Sequence, residues 1–445
     1  MNAKDAIEHV LTLAQQSKLS DVDVLFVRSD SLTLNVRDTQ IEKVEQSTGL
    51  SLGVRVVHEG RTGIASTEKL QADSLKQTLE NARENALLQD PTEVLMPDPP
   101  ASIPEEQTLD LFHPELNELS VQELGDLGKN IENSVHQQNS EVLSIPYLGV
   151  SRDHSEAILA STRGLYHTQS KNSVGAYCGV LLEGKGQRKS GFSTWHQRKW
   201  DSNVAESMAK QALGRASKLL GATAISETIP VVLDEYCAPQ LLSTYWNAFY
   251  AQRAQRGLSR LKGKLGETIA APFINLVDDP HLANAPGSEF LDSEGSLTAP
   301  LPLIQDGVFK KFLYHIESAR KDGVSSTGHA GRSTGSGIHT SAHNLVMSLG
   351  GHSLEELCAI PETCLLITEL EGAAGCNPIS GDISIGVQGM LMKQGKAVHP
   401  VDSVTIAGNF FDVLQNIKAL GNTYQPNLSS RFIPALLIEG LSISS

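Results

Sequence analysis

Two stretches of period-two apolarity, each bracketed by helical sequence, constrain this chain more than any other feature. Residues 21–67 run through "DVDVLFVRSD", "SLTLNVRD", "QIEKVEQS", "LSLGVRVVHEG" and "RTGIAST". Apolar side chains recur at every second position and short Gly or Asp turns separate the segments, which is the pattern of an antiparallel meander. An amphipathic helix precedes it, with Ala6, Ile7, Val10, Leu13 and Ala14 on one face. A second follows at 72–88, with Leu75, Leu79, Ala82 and Ala86 on one stripe. "DPTEVLMPDPPASIPEE" (90–106) then carries five prolines, a density that no helix or central strand survives, so it reads as a connector. The order repeats after it: a helix at 120–138, alternating strands from Glu141 to His196, and a helix at 205–220.

The repetition extends to residues. "GLSLGVRVVHEGRTGIAST" (49–67) and "SVGAYCGVLLEGKGQRKSGFST" (173–194) each have an apolar strand, a Glu-Gly turn and a return strand ending in Ser-Thr. "ADSL" opens one following helix and "AESM" the other. An ancient duplication and a coincidence of order both account for this. Near residue 222 the texture changes. "ETIPVVLDE" (227–235) reads as a strand, 237–255 as one helix, and "LPLIQDGVFKKFLY" as a hairpin turning at Asp306-Gly307. A Gly/Ser-rich loop spans 323–337, further strands follow, and "AGNFFDVLQNIKALGN" reads as a helix capped by Asn409 and stopped by Gly421. The expectation is an α+β protein of two domains. Residues 1–222 form antiparallel meanders with flanking helices, and 223–445 form a mixed α+β domain rich in antiparallel strands.

Composition narrows the function class. The formal net charge is −15, which disfavours nucleic-acid binding unless a basic patch overrides it. The two candidates, 184–191 and 253–264, read more simply as a hairpin and a helix end. No apolar run approaches the roughly 20 residues of a membrane span. The N-terminal segment, interrupted by Asp5 and Glu8, does not read as a signal peptide. Five scattered cysteines without a C-x-x-C pair fit a reducing cytoplasm.

The local motifs offer little chemistry. His339, His343 and His352 cluster in "GIHTSAHNLVMSLGGH", but a chelating i, i+4 pair needs a helix. "GSGIHTSA" is poor helix material, and along a strand residues four apart stand about 13 Å apart at ~3.3 Å per residue. Gly331–Gly335 is a formal G-x-S-x-G around Ser333, yet loop rather than strand precedes it, which is wrong for a nucleophile elbow. His58-Glu59 has no partner His nearby, and Gly263-Lys264 lacks the spacing of a phosphate-binding loop.

Longer phrases carry a resemblance. "GAAGCNPISGDISIGVQGMLMKQGKAVHPVDSVTIAGNFFDVLQNIKALGN" (372–422), "VVLDE" (231–235), "GKLGETIAAPFINLVDD" (263–279), "FLDSEG" (290–295), "SARKDGVSSTGHAGR" (318–332) and "GVRVVHEGRTGIAST" (53–67) together resemble the TldD/PmbA (TldD/TldE) family. The resemblance implies a cytoplasmic peptidase of two chain types on one fold. TldD-type chains carry a helical His-Glu-x-x-x-His and a C-terminal Cys that bind a zinc-like metal. PmbA/TldE-type chains lack them and pair with a TldD-type chain. In this sequence the corresponding positions hold Ser243, Thr244 and Ala248, and the last cysteine is Cys376.

The resemblance therefore implies a non-catalytic subunit with no metal of its own. Its partner would be a TldD-type chain in a heterodimer, or a second copy in a homodimer. Unfolded or extended peptides would be the substrates, with no nucleic acid and no membrane involved. Asn377, Pro378, Ser380, Gly381, Asp382, Thr405, Gly408 and Asn409 lie in the most family-like phrases. They are candidates for groove lining, with tight turns and helix capping as the alternative role. A homodimeric peptide-binding module and a Ser333-dependent hydrolase remain as other readings.

Overall fold

The computed structural model describes residues 1–92 and 96–445; of the Pro-rich connector, 93–95 lie outside the described residues. The N-terminal half runs in the order α1 (Ala3–Gln16), β1 (Asp21–Arg37), β2 (Gln40–His58), β3 (Arg61–Thr67) and α2 (Ala72–Leu87). After the connector come a short α3 (Pro114–Glu118), α4 (Val121–Gln138), β4 (Val142–Ser161), β5 (Tyr166–Gly184), β6 (Gln187–Gln197) and α5 (Ala205–Lys218). All six strands form one antiparallel sheet in the order β3-β2-β1-β4-β5-β6. The two α-β-β-β-α units thus meet along β1 and β4, which pair from Asp23↔Ser161 to Asn35↔Gly149.

Strands are longer than the sequence suggests. "DVDVLFVRSD" and "SLTLNVRD" are one strand, and so are "QIEKVEQS" and "LSLGVRVVHEG". The polar interruption at Arg28–Ser31 is not a turn. It is the gap between two helical covers on the same sheet face. Val22, Val24 and Phe26 pack under α1 and α2, whereas Leu32, Leu34 and Val36 pack under α4 and α5. Burial lapses between the covers, but the backbone stays paired, with Ser29 opposite Gly49 and Asp30 opposite Thr48.

The two covers are built alike. A Cβ on Gly63 of β3 would stand 2.1 Å from the Ala82 carbonyl oxygen of α2, and one on Gly191 of β6 would stand 2.1 Å from the Ala212 carbonyl oxygen of α5. In both units a glycine lets the helix backbone rest on the last strand, and Ala86 and Ala216 complete each contact. This shared device supports duplication beyond mere order of elements.

The C-terminal half holds a seven-stranded mixed sheet, a five-stranded sheet and a two-stranded ladder. Its principal core includes Tyr245, Trp246, Phe249, Phe309 and Phe410. Two helices expected from sequence are altered there. Residues 237–255 form not one helix but Cys237–Ser243, a 3-10 turn Trp246–Phe249, and Ala251–Gln255. Tyr245 stacks on Phe410 at 4.7 Å, Phe249 meets Phe309 edge-on at 5.7 Å, and Phe249 and Ala251 exchange backbone hydrogen bonds with Leu313. One straight helix could not serve these neighbours together. The helix capped by Asn409 ends at Asn416, because Ile417–Leu420 leaves it to pair with Leu436–Ile438. Gly421 is consequently not a helix stop; it hydrogen-bonds Ala435 and Gly350. The connector has no regular structure over 96–105, yet Met96 is buried and Ile103 packs beside Leu109, Leu111 and Phe290.

Gly63→Ala and Gly191→Ala should each destabilise the chain by about 1–3 kcal/mol through overpacking against helix backbone. Gly214→Ala, inside α5 with no atom near the added Cβ, should be neutral or stabilising by up to ~1 kcal/mol. Urea unfolding of the three variants checks this.

Candidate functional site

The sheet face opposite the helices confronts the C-terminal half. Odd-numbered side chains of β1, β4 and β5 point there, and two cavities of about 280 and 270 Å³ lie along it. The two share Ser155 and Lys171 and form one trough, while a third cavity of about 250 Å³, lined by Asp30, Leu32, Gln46, Arg152, His154 and Asn117, lies on the helix-covered face in the gap between the two covers. Lys171 bridges to the far wall, its Nζ donating to the carbonyls of Pro286 and Ser288 at 3.1 Å each. Burial holds its pKa below the ordinary lysine value. Asp292, on the same wall, is pushed up to about 7 by burial and by neighbouring Glu294.

A buried ionic quartet closes one end of this interface. Arg55 of β2 donates through Nε to Asp23 of β1 at 2.7 Å and reaches Glu294 through Nη1 at 3.3 Å. Arg332 donates to the other Asp23 oxygen at 2.6 Å. All four side chains are at most 4% exposed. Beside them, Gly53 allows β2 to approach the 331–335 loop so closely that a Cβ would stand 2.1 Å from the Thr334 carbonyl oxygen, and the Ser51 and Thr334 hydroxyls hydrogen-bond at 2.8 Å. The G-x-S-x-G segment is thus a clamp between the halves. Ser333 is exposed, and among the described residues no histidine hydrogen-bonds its hydroxyl, so the serine-hydrolase reading has no base to support it.

The positions that would carry a catalytic metal do not fit one. Ser243 ends its helix with Oγ bonded to the Pro239 carbonyl at 2.5 Å, Thr244 is the C-cap, and Ala248 lies in the 3-10 turn. The ligand atoms are missing, and so is the continuous helix face that would align them. The sole grouping of three or more His, Cys, Asp or Glu close enough for a metal among the described residues is Asp278, His329 and His343, elsewhere in the domain. His339 and His352 are exposed and outside it.

Six of the eight groove candidates come together in one turn. Asn377 Oδ1 accepts from the backbone of Ile379 and Ser380, and the Gly381 N–H donates to the Asn377 carbonyl. Asn409 caps its helix through Phe411 N–H while its Nδ2 donates to the Ser380 carbonyl and to Asp382. Gly381 has φ +85°, and a Cβ there would press on Phe411 and Asn409. Pro378 sits within the same turn, half-buried. Thr405 and Gly408 lie apart in the strand Lys396–Asn409, opposite Gly386 and Ile383. None of the eight lines the three cavities. Sequence reading missed Arg260, which donates to Ser380 and Asn409 and lies over the Phe411 ring at 5.0 Å. It also missed Tyr245, whose hydroxyl donates to the Asp382 carbonyl at 2.8 Å. Through Tyr245 the turn rests on the altered helix.

Comparison with known proteins places this architecture. Three family models match in succession: PmbA/TldA metallopeptidase domain 1 over 22–86, the central domain over 98–220, and the C-terminal domain over 226–445. The chain belongs to the PmbA/TldD metallopeptidase family. The metalloprotease PmbA of Escherichia coli O157:H7 is 26% identical over 450 residues, covering 98% of this chain and 96% of that protein. A PmbA homologue of Haemophilus influenzae is 24% identical, covering 99% and 96%. Among solved structures, TldE from Thermococcus kodakarensis superposes with a TM-score of 0.86 at 23% identity, covering 99% of this chain and 100% of that one. The family models divide the N-terminal half at the connector, although its strands form a single sheet. Matches to metalloproteases bring a metal into the family, while Ser243, Thr244 and Ala248 of this PmbA/TldD chain offer it no ligands.

Arg55→Met should destabilise this protein by about 3–5 kcal/mol, because it leaves Glu294 without its arginine partner and Asp23 with Arg332 alone, both still buried. Thermal and urea unfolding of the purified variant provide the measurement.

Proposed function

We propose that this chain is the non-catalytic, PmbA/TldE-type subunit of a cytoplasmic metallopeptidase that processes unfolded or extended peptides. The observation that carries the reading is the helix break at Ser243, Thr244 and Ala248, which removes a water-activating metal from a fold otherwise retained throughout. The metal would reside in a TldD-type partner, where it supplies the Lewis acid and the nucleophilic water. This chain would contribute walls. The trough across β1, β4 and β5 would receive part of an extended segment, with the Lys171 region and the backbone of the facing loops as polar anchors. The exposed turn around Asn377–Asp382, including Ile379 at 41% exposure, offers a surface for the partner or the peptide. Division into functional units at residue 222 belongs to this proposal, with 1–222 forming the trough floor and 223–445 its far wall.

The cytoplasmic assignment rests on five free cysteines; no helix among the described residues is long and apolar enough to cross a membrane. Net charge of −15 argues against nucleic acid as a partner.

A TldD-type chain from the same source should co-purify with this one, and adding this chain should raise that partner's hydrolysis of an unfolded peptide at least several-fold. A chelator should abolish the joint activity, and Gly381→Val should reduce the stimulation without changing the partner's metal content. A self-dimer that ignores every TldD-type chain would instead establish the homodimeric peptide-binding reading.

A further inference from the structure

One buried cluster plays no part in the proposed function. Asp278 ends the strand Leu276–Asp278, which pairs antiparallel with Leu345–Met347 so that Leu345 faces Asp278. That register brings His343, just before the second strand, over the Asp278 carboxylate. The loop preceding Ala330–Gly331 delivers His329 to the same point. Asp278 Oδ2 lies 2.9 Å from His329 Nε2 and 3.4 Å from His343 Nδ1, and the three donor atoms fall within 4.8 Å of one another. Side-chain exposures are 0%, 0% and 4% for Asp278, His329 and His343.

The surroundings determine which ring nitrogens face inward. His343 Nε2 lies 3.1 Å from Glu289 Oε1, so that nitrogen donates outward and Nδ1 is left to present its lone pair to the cluster. This Nδ1 is buried and has no hydrogen-bond partner. His329 Nδ1 lies 2.8 Å from Thr327 Oγ1, and that hydroxyl can pass its own proton to the Tyr314 carbonyl at 3.2 Å. His329 Nδ1 can therefore also donate outward, leaving Nε2 as an inward donor atom. The Asp278 carboxylate is fixed by the His343 backbone N–H, at 3.1 and 2.9 Å from its two oxygens. Carboxylate or hydroxyl acceptors on the outer ring nitrogens are the usual support of metal-bound imidazoles. Ligands about 2.0–2.1 Å from a tetrahedral zinc stand roughly 3.3 Å from one another, and the 2.9 and 3.4 Å separations bracket that value.

We propose that Asp278, His329 and His343 form a buried site for one divalent first-row transition metal ion, with zinc the reference occupant, that pins three segments of the C-terminal half together. Two imidazoles and one carboxylate suit zinc, cobalt or nickel better than calcium or magnesium, which prefer all-oxygen sets. The site is sealed from solvent, so a peptide cannot reach it and its role is structural. Glu289 is 30% exposed and lines the larger trough cavity, so it stands between that cavity and His343.

The test uses the full chain without a histidine tag, stripped with EDTA and titrated with ZnCl2 and CoCl2 at neutral pH. About one equivalent should bind, with a rise in Tm and, for cobalt, visible ligand-field bands. Asp278→Asn and His343→Gln should abolish binding. Because these could impair folding, Glu289→Gln serves as the milder variant and should weaken affinity about 10–100-fold with the fold intact by circular dichroism. His339→Ala and His352→Ala should bind as the parent does. The proposal is overturned if the folded parent takes up no zinc or cobalt at tens of micromolar. It is equally overturned if bound metal is lost in His339→Ala or His352→Ala, or retained unchanged in Glu289→Gln.

Discussion

The buried Arg55–Asp23–Arg332–Glu294 quartet ties the N-terminal sheet to the C-terminal loops. Two positive and two negative groups are withdrawn from water where β1 and β2 meet the C-terminal loops. Desolvating such charges is costly, and only near-complete pairing offsets it. Glu294 is further engaged by the Ile316 N–H at 2.9 Å, which ties the quartet to the helix Ile316–Asp322. The arrangement specifies one docking of the halves, because any other leaves a buried charge unpaired. The trough, whose floor is the sheet and whose far wall is 286–293, exists only in that docking.

Much of the fold was legible because its determinants are local. The amphipathic stripes of α1, α2, α4 and α5 follow from residue spacing, and Ser120 and Asn409 cap their helices through contacts a few residues away. The Asp306-Gly307 turn lies in the left-handed region at both residues, φ 51° and 74°, as a two-residue hairpin requires. Failures occurred where distant partners decide. The lapse in apolarity at Arg28–Ser31 looked like a turn because sequence does not show two helix pairs covering one strand. The 237–255 helix breaks because Tyr245 and Phe249 answer to Phe410 and Phe309. Ile417–Leu420 leaves its helix because Leu436–Ile438 waits as a strand partner.

The candidate site divides along the same line. The absence of ligands at Ser243, Thr244 and Ala248 could be read directly, since it is a matter of residue identity. The inner turn of Asn377, Ser380, Gly381, Asp382 and Asn409 was found through phrase resemblance, but its polar atoms are largely engaged with one another, while Thr405 and Gly408 belong to a strand. His343 appeared with His339 and His352 in sequence, yet in the fold it joins Asp278 and His329. No spacing rule links those three, because strand register and a loop bring them together.

Family membership and the break at Ser243–Ala248 are the two observations behind the proposed role of a scaffold without hydrolytic metal ligands. The most direct measurement follows one unfolded peptide by mass spectrometry during prolonged incubation with this chain alone, saturated with zinc and free of any TldD-type partner. The peptide should be recovered intact, since the remaining histidine–carboxylate cluster is sealed from solvent and Ser333 has no base. Fragments that appear with the zinc-loaded chain and disappear in its His343→Gln or Ser333→Ala variant would contradict it.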